Sequence, residues 1–308
     1  MRVSILLNIA DGLCNYFDNM DPGSRDRFLR AYSLAAAAGQ YDLQSRAASW
    51  IALLAYAAYN FEEMTKFIAE GISLNSSSDS STKSRLCMIL ALTAHLANRF
   101  DVASPWYERS RQYAADLEDE ATLSALMHNM ASIWAANRRN EVIGGIRTSD
   151  KSRIALLGAM STLNFDERVG ALSLNTLTPL IQAQLYSLEG NYAHALEIYS
   201  TNLDTLRLRS VSGWQSWLHA DRAWCQLKMG YLNEGREQLT RAQESLRQDQ
   251  HVDDRAATYQ RLAECHSLLG DNDASTSYGA KARTCWRQFL ELQATMLKHV
   301  SSVSGTVF

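Results

Sequence analysis

The chain has 308 residues, of which 46% are hydrophobic, so it has enough apolar material for one large domain or two ordinary ones. Its 30 Lys and Arg and 33 Asp and Glu give a net charge of -3. This balance excludes the excess positive charge that holds a phosphate backbone, and we expect no direct nucleic-acid binding. Five scattered cysteines without a C-x-x-C pair favour a reducing, cytoplasmic location.

Residues 1–38 predict helices that cap the fold. An apolar run from Val3 to Ile9 is followed by Asp11 and Asp18 without a small-residue cleavage site, which indicates an amphipathic helix rather than a secretion signal. No stretch approaches the roughly 20 uninterrupted apolar residues of a membrane span, so we expect no membrane insertion. With only 3 prolines and no period-two alternation, the composition predicts an all-α chain.

Residues 39–143 predict the first copies of a repeated unit made of a helix, a turn and a second helix. Their turns are expected about 40 residues apart, at Tyr59-Asn60-Phe61, Asn98-Arg99-Phe100 and Asn137-Arg138. Asn is favoured at such turns because it tolerates the left-handed backbone conformation. The polar run at residues 75–81 predicts a loop between two repeats.

Residues 144–175 break this period. After Arg138 the next turn comes only at Gly190, 52 residues later (190 minus 138). We expect an irregular insertion in which Ile154 to Leu163 form a delayed second helix, capped by Asp150 or Ser152. The rest of the insertion predicts a loop and a short helix.

Residues 176–300 carry the three clearest copies. Their turn glycines, Gly190, Gly230 and Gly270, recur every 40 residues. Each copy has Ala where two helices cross closely and Gly where φ becomes positive. Together with the weaker copies, the pattern predicts six repeats.

These copies resemble the tetratricopeptide repeat. The matching positions are Ala183, Tyr186, Gly190, Tyr192, Ala195 and Tyr199 in one copy, Ala223, Gly230 and Ala242 in the next, and Leu262, Ala263, Gly270 and Ala282 in the third. The family's unit is about 34 residues. With units near 40, the chain is similar to the long form seen in sensor and scaffold regions of bacterial signalling and transcriptional regulatory proteins.

The resemblance implies the architecture of the whole chain. Residues 1–308 would form a single domain, a right-handed α-solenoid of stacked antiparallel helix hairpins, with about six repeats, an N-terminal helix and a long C-terminal helix. In the tetratricopeptide frame the first helix of each pair lines a concave groove that binds the partner. The inward positions include Tyr56, Met88, His95, Gln184, Ser187, Gln260 and Glu264.

Two tryptophans extend this candidate groove. Trp217 and Trp224 are seven residues apart, hence on one helix face, and the family frame points both into the groove. The same frame places His219, Arg222 and Gln226 at core positions, so either the helix is rotated or apolar bulk faces the groove. Large aromatics beside an arginine are typical of binding hot spots, but aromatics at helical spacing are also typical of a core. Both interpretations stay open.

The last helix is predicted from about Ser275 to Val300. Its apolar residues alternate at spacings of four and three, at Tyr278, Ala282, Cys285, Phe289, Leu292 and Met296. Such a heptad seam predicts either a pairing helix, which would form a homodimer, or a helix that caps the final repeat. Residues 301–308 are expected to fray as a tail.

The sequence contains no pattern that indicates catalysis, a cofactor or a metal. There is no G-x-x-x-x-G-K-[ST] or G-x-G-x-x-G loop and no G-x-S-x-G elbow, and the 7 histidines lack metal-ligand spacing. The acidic pairs Glu62-Glu63 and Asp253-Asp254 begin predicted helices, where carboxylates complement the helix dipole. We therefore expect a protein that is not an enzyme.

Two functions remain as hypotheses. The first is a non-enzymatic scaffold or adaptor in bacterial regulation, which binds a protein or peptide in its concave groove. The alternative is a ligand-sensing regulatory module whose long C-terminal helix couples to dimerisation or to an output domain.

Overall fold

Helices form all the regular secondary structure of the described residues. The structure is a computed structural model and describes residues 1–19, 23–74, 79–145, 150–170, 177–203 and 213–305. In these ranges the all-α prediction is confirmed, and no helix is both long and apolar enough to cross a bilayer. The helices are α1 (Arg2–Asn19), α2 (Gly23–Ala37), α3 (Tyr41–Ala57), α4 (Phe61–Leu74), α5 (Ser80–Leu96), α6 (Phe100–Ala115), α7 (Glu120–Ile143), α8 (Lys151–Val169), α9 (Thr178–Leu188), α10 (Tyr192–Asn202), α11 (Gln215–Lys228), α12 (Leu232–Glu244), α13 (Val252–Leu268) and α14 (Asn272–Ser304).

Tight turns join the helices into antiparallel pairs. The predicted turn residues adopt positive φ, with values of 56° at Tyr59, 59° at Asn98, 83° at Gly190, 85° at Gly230 and 80° at Gly270. In each turn the amide that follows the left-handed residue donates a hydrogen bond to the carbonyl five residues earlier, as when Asn191 N–H donates to Tyr186 O at 2.8 Å. This bond satisfies a carbonyl that the end of the helix would otherwise leave unpaired.

The turn predicted at Asn137-Arg138 is wrong. The α7 helix continues through both residues to Ile143 and is followed by a turn at Gly145, whose φ is 89°. The reason is that the Arg138 side chain is buried, with only 2% exposed, and its Nε donates to Ser152 Oγ at 2.9 Å. A buried guanidinium with a partner stabilises the helix at this point, where the sequence pattern alone favoured a turn.

The segment 144–175 is more regular than the predicted irregular insertion. Most of it is α8, which includes the expected helix from Ile154 to Leu163 and ends at Gly170 in the left-handed conformation. Helix α8 is regular because its fully buried Ala155 and Ala159 pack on α7 and α9 in a cluster of small and aliphatic side chains. Residues 146–149 and 171–175 of the predicted insertion, and 75–78 of the predicted polar loop, lie outside the described residues.

The chain divides into two compact units. Unit 1 contains Met1–Leu126 and Gln293–Phe308, and unit 2 contains Met127–Leu292. In unit 1 the core includes the stacked rings of Phe28 and Trp50, with 5.5 Å between centroids, and the fully buried Ile51 and Leu86.

In unit 2 the core lies between the helices of successive pairs. One cluster joins α9, α10 and α11 around the fully buried Tyr199 and Leu218. A second cluster joins α11, α12, α13 and α14 around Leu262 and Ala282. Because α11 contributes to both clusters, its two faces are buried against different helix pairs.

The heptad seam of α14 is buried within the chain. Ala282, Phe289 and Met296 have 0% exposure and Cys285 has 6%, as expected for the capping alternative. The helix also continues to Ser304 rather than ending at Val300, because Val300 and Val303 are both buried, one helical turn apart. Residues 306–308 of the predicted tail lie outside the described residues.

Two helix glycines with different surroundings test this packing. A Cβ on Gly235 in α12 would lie 2.6 Å from Leu227 Cδ2 and 2.7 Å from its Cγ, so Gly235→Ala should lower the free energy of unfolding by about 1–3 kcal/mol. A Cβ on Gly279 in α14 would lie 3.4 Å from the movable Arg283 Nη1, so Gly279→Ala should raise it by about 0.5–1 kcal/mol through helix propensity. Denaturant unfolding of both variants measures these changes, and equal effects would contradict the close approach of α11 and α12.

Candidate functional site

A small pocket in unit 2 is lined by side chains from α7, α9, α11 and α13. Four residues of the predicted groove lie in its wall: Gln184, Trp217, Gln260 and Glu264. The space open to the centre of a water molecule is about 20 Å³, which is room for one or two waters. A drug-sized ligand would need several hundred Å³, so the closed pocket does not enclose such a molecule.

The other predicted groove residues lie in different surroundings. Ser187 is 2% exposed and its Oγ is 3.5 Å from Arg261 Nη2. Trp224 is half-buried and lies against the core clusters on both faces of α11. The structure therefore places these two residues beside the pocket, in the packed interior that adjoins it.

The three predicted groove residues of α3 and α5 belong to unit 1. Tyr56 is half-buried, Met88 is 6% exposed and His95 is completely buried. His95 Nδ1 lies 3.0 Å from Tyr107 Oη, so its ring is held inside the α5–α6 pair. In unit 1 the predicted positions therefore include two core residues.

A buried guanidinium joins the first helices of successive pairs beside the pocket. Arg261 of α13, with a side chain 12% exposed, donates from Nε to Asp221 of α11 at 2.5 Å and from Nη1 to Glu264 at 2.7 Å. Burial alone would lower the pKa of Arg261, but the charges of Asp221 and Glu264 raise it above its ordinary value. Arg261 is therefore a permanent cation whose charge is already compensated.

Asp221 has a second buried partner. Tyr199 Oη donates to Asp221 Oδ2 at 2.9 Å, and Tyr199 is completely buried. Burial, followed by the Asp221 charge, raises the pKa of Tyr199 well above its ordinary value. The phenol therefore stays protonated and acts as a donor that fixes the carboxylate.

A second buried ion pair lies on the α7 side of the pocket. Arg139 Nη2 is 3.0 Å from Asp254 Oδ1 and 3.3 Å from Asp253 Oδ2, and all three side chains are at most 11% exposed. Burial and the neighbouring Asp253 charge raise the pKa of Asp254 to about 6, against the opposing effects of Arg139 and His251. Two carboxylates thus share one guanidinium in the interior.

The same cluster has the residue types of a metal site. Ligand atoms of His251, Asp253 and Asp254 lie within 4.8 Å of one another. Arg139 already lies within hydrogen-bond distance of both carboxylates, in the position that a cation would take. The geometry therefore fits an ion pair that ties α7 to α13.

Trp217 contributes an unusual donor to the pocket wall. Its side chain belongs to the α9–α11 core and it is 8% exposed, yet its indole Nε1 is buried without a hydrogen-bond partner among the described residues. The guanidinium carbon of Arg139 lies 5.5 Å from the ring centroid, within cation–π range. A buried donor left unpaired costs about 1–3 kcal/mol.

Two polar residues of α11 are buried in the interior of unit 2. His219 is 8% exposed and its Nδ1 lies 2.8 Å from Gln238 Oε1, so it is a buried side chain with a partner on α12. Gln226 is also buried, at 9% exposure. His219 and Gln226 thus occupy interior positions of α11, and Trp217 both belongs to the α9–α11 core cluster and lines the pocket.

Of the charged residues in and beside the pocket, the sequence predicts only Glu264. Arg139 directly follows the expected turn at Asn137-Arg138, and Asp253 and Asp254 begin a predicted helix, so the sequence gives none of the three a role in a site. A signal existed for the other pair, because Asp221 and Arg261 are 40 residues apart, one repeat period, and so occupy equivalent positions in successive first helices. Opposite charges at equivalent positions of neighbouring repeats predict an ion pair between the first helices of those repeats.

The raised pKa of Asp254 predicts a specific pH dependence. Between its ordinary value of 3.8 and about 6, the folded state binds more protons than the unfolded state, so this group's contribution to stability falls as pH rises. Asp254→Asn cannot ionise, so the unfolding free energy of the variant minus that of wild type should rise by roughly 1–3 kcal/mol from pH 4 to pH 6. Urea titrations over this range measure the difference.

The exposed Asp273 in the first turn of α14 offers a matched control. Asp273→Asn removes a carboxyl that is not buried, so this variant lacks the burial that gives rise to the pH dependence expected for Asp254→Asn. If the difference in unfolding free energy between Asp254→Asn and wild type did not change from pH 4 to pH 6, the raised pKa of Asp254 in the buried pair would be contradicted.

Comparisons with known proteins leave the family open. No protein-family model matches the sequence. No curated protein matches it significantly either. The assignment to a repeat family therefore depends on the residues and the geometry described above.

Proposed function

We propose that the chain is a tetratricopeptide-like repeat protein of the long form that binds a peptide segment of a protein partner at the unit 2 pocket. In this proposal the helix pairs of each unit stack side by side as a right-handed α-solenoid. The regular spacing of the left-handed turns supports it, as does the packing of first helices on one another, α3 on α5 and α9 on α11 on α13.

A hydrogen bond that recurs at the repeat period also supports the assignment. Ser45 Oγ of α3 donates to Gly71 O of α4 at 2.7 Å, and Ser84 Oγ of α5 donates to Ser110 O of α6 at 2.8 Å. Both bonds join residues 26 apart, and each joins the first helix of a pair to the second. Equivalent bonds at equivalent positions are what a structural repeat requires.

The pocket carries the functional part of the proposal. It brings together side chains from three successive first helices and from α7, and one of them, Trp217, has a buried N–H without a partner. Gln184 and Gln260 add amide groups, which both donate and accept hydrogen bonds. A peptide backbone supplies a carbonyl for the indole N–H and amides for the glutamines.

The electrostatics of the pocket indicate which ligands fit. Arg139 and Arg261 are both paired with carboxylates, so an anionic ligand would have to displace Asp253, Asp254, Asp221 or Glu264. In the lining, Arg139 and Arg261 are balanced by Asp221 and Glu264, and Asp253 and Asp254, which contact Arg139 from outside the lining, add negative charge nearby. A neutral or basic peptide segment is therefore the better match.

A non-enzymatic role agrees with the chemistry of the buried cysteines. Burial raises the pKa of Cys87 to about 12 and that of Cys225 to about 12, so both thiols are protonated at neutral pH. A protonated thiol is a poor nucleophile. The sensing alternative, which needs a free seam on α14, has less support because that seam is buried.

Trp217→Phe tests the proposed contact, because it keeps an aromatic ring and removes the indole N–H. We expect peptides selected from a random library on the wild-type protein to bind the variant about tenfold more weakly, the loss of one hydrogen bond. The free energy of unfolding should change by less than about 1 kcal/mol, since lost contact area is offset by removal of an unpaired donor. Calorimetric titration and thermal unfolding measure the two effects.

The control is Trp106→Phe in α6, where the tryptophan is also 8% exposed but belongs to unit 1. This variant should bind the selected peptides with wild-type affinity. Equal affinities of Trp217→Phe and wild type, or failure of the library to yield any specific peptide, would contradict the proposal.

A further inference from the structure

Helix α1 has two apolar faces: one packs on the rest of unit 1, and the other is largely exposed, although at its end the Phe17 ring lies 6.0 Å from that of Trp50. Ile5 and Ile9 are 0% and 5% exposed and form the inner face. On the other face a row of exposed apolar side chains runs along the helix: Val3, Leu7, Ala10, Cys14 and Phe17. We call this row the α1 stripe; Val3 is 70% exposed, and Leu7 and Phe17 are each 59% exposed.

The spacing of the stripe indicates the kind of partner that covers it. Its residues follow one another at intervals of four, three, four and three, which is an average of 3.5 residues. An apolar row with this period stays on one side of a helix that winds around another helix. Contact with a flat surface or a single deep groove does not require this period, whereas contact with a second helix does, so the stripe fits a partner helix with the same spacing.

The charges around the stripe argue against a lipid surface. Residues 1–19 contain one basic residue, Arg2, and two acidic residues. Arg2 Nη2 is 2.9 Å from Asp42, and Asp11 is 3.5 Å from Arg27, so both charges are directed to other helices of unit 1. Helices that lie on membranes carry Lys and Arg along the polar face to meet anionic lipids, and α1 lacks them.

We propose that α1 pairs antiparallel with α1 of a second copy of this chain, with the two-fold axis at Ala10. This arrangement sets Val3 against Phe17 of the other copy and Leu7 against Cys14, so that a larger side chain faces a smaller one at each layer. The small Ala10 residues meet at the centre, where the two helices approach most closely. Antiparallel pairing also aligns the two helix dipoles favourably.

The area of the stripe is sufficient for such a dimer. Leu6, at 42% exposure, flanks the stripe and adds to its apolar surface. Side chains of this size at these exposures leave on the order of 500 Å² open per copy, so two copies would bury about 1,000 Å². The two-copy value reaches the lower limit of specific interfaces, and the area per copy lies in the upper part of the range of about 300–600 Å² for the largest apolar patch on a typical monomer.

A second exposed apolar group provides the comparison surface. Ile154, Leu157 and Met160 of α8 are 43%, 57% and 49% exposed. Successive residues of this group are three apart, so the group winds around the helix instead of staying in line as a heptad seam does. This α8 patch therefore offers a shorter row without the pairing period.

Sedimentation equilibrium at micromolar protein concentration tests the proposal. Wild type should have twice the 34.5 kDa mass of one chain, and Leu7→Glu should weaken dimerisation by about 30-fold or more, the loss expected for a central interface side chain. Leu157→Glu places the same charge on an equally exposed leucine of α8 and should remain a dimer. Circular dichroism of each variant checks that the helices are retained.

A cysteine pair tests the geometry independently. In a Cys14→Ser background, Ala10→Cys should form an intermolecular disulfide under mild oxidation, because the two-fold axis brings the two sulfur atoms together; Cys14→Ser alone should not. A monomeric wild type, a dimer that Leu157→Glu dissociates instead of Leu7→Glu, or binding of wild type to anionic vesicles that Leu7→Glu abolishes would each overturn the proposal.

Discussion

The arrangement of unit 2 depends on the buried guanidinium of Arg261. A charge in the interior is tolerated only when hydrogen-bonded partners of opposite charge surround it, so its position fixes theirs. Arg261 donates to Asp221 of α11 and to Glu264 of its own helix, and lies 3.5 Å from Ser187 of α9. Its guanidinium also lies 5.2 Å from the centroid of Trp224. Three first helices are thereby held in one register, and the pocket wall is formed as a consequence.

Much of the fold could be predicted because the turns have a strict conformational requirement. A residue at positive φ ends one helix and reverses the chain, and glycine and asparagine, which tolerate this conformation best, have this role at Gly190, Gly230, Gly270 and Asn98. The same rule failed at Asn137, because an asparagine is allowed in a helix as well as in a turn. The tertiary contact between Arg138 and Ser152 favours the helix over the turn, and the residue pattern of a single segment carries no information about that contact.

The candidate site was predictable only in part. The repeat frame placed Gln184, Trp217, Gln260 and Glu264 on one surface, and in the structure all four line the same pocket. The frame could not supply Arg139, because its partners on α13 lie more than 110 residues away in sequence and no period connects them. It also assigned His95 to a groove, whereas the ring is completely buried beside Tyr107. A family frame gives the face of a helix, but the size of the neighbouring side chains decides whether that face is open.

A double-mutant cycle on Arg261→Met and Asp221→Asn tests the central role of this ion pair most directly. Each single substitution leaves one buried charge without its main partner, so each should lower the free energy of unfolding by about 3–5 kcal/mol. The double variant removes both charges, so its loss should be smaller than the sum of the single losses by about 2 kcal/mol or more. Losses that add to within about 0.5 kcal/mol would contradict the account, because they would mean that the two side chains stabilise unit 2 independently.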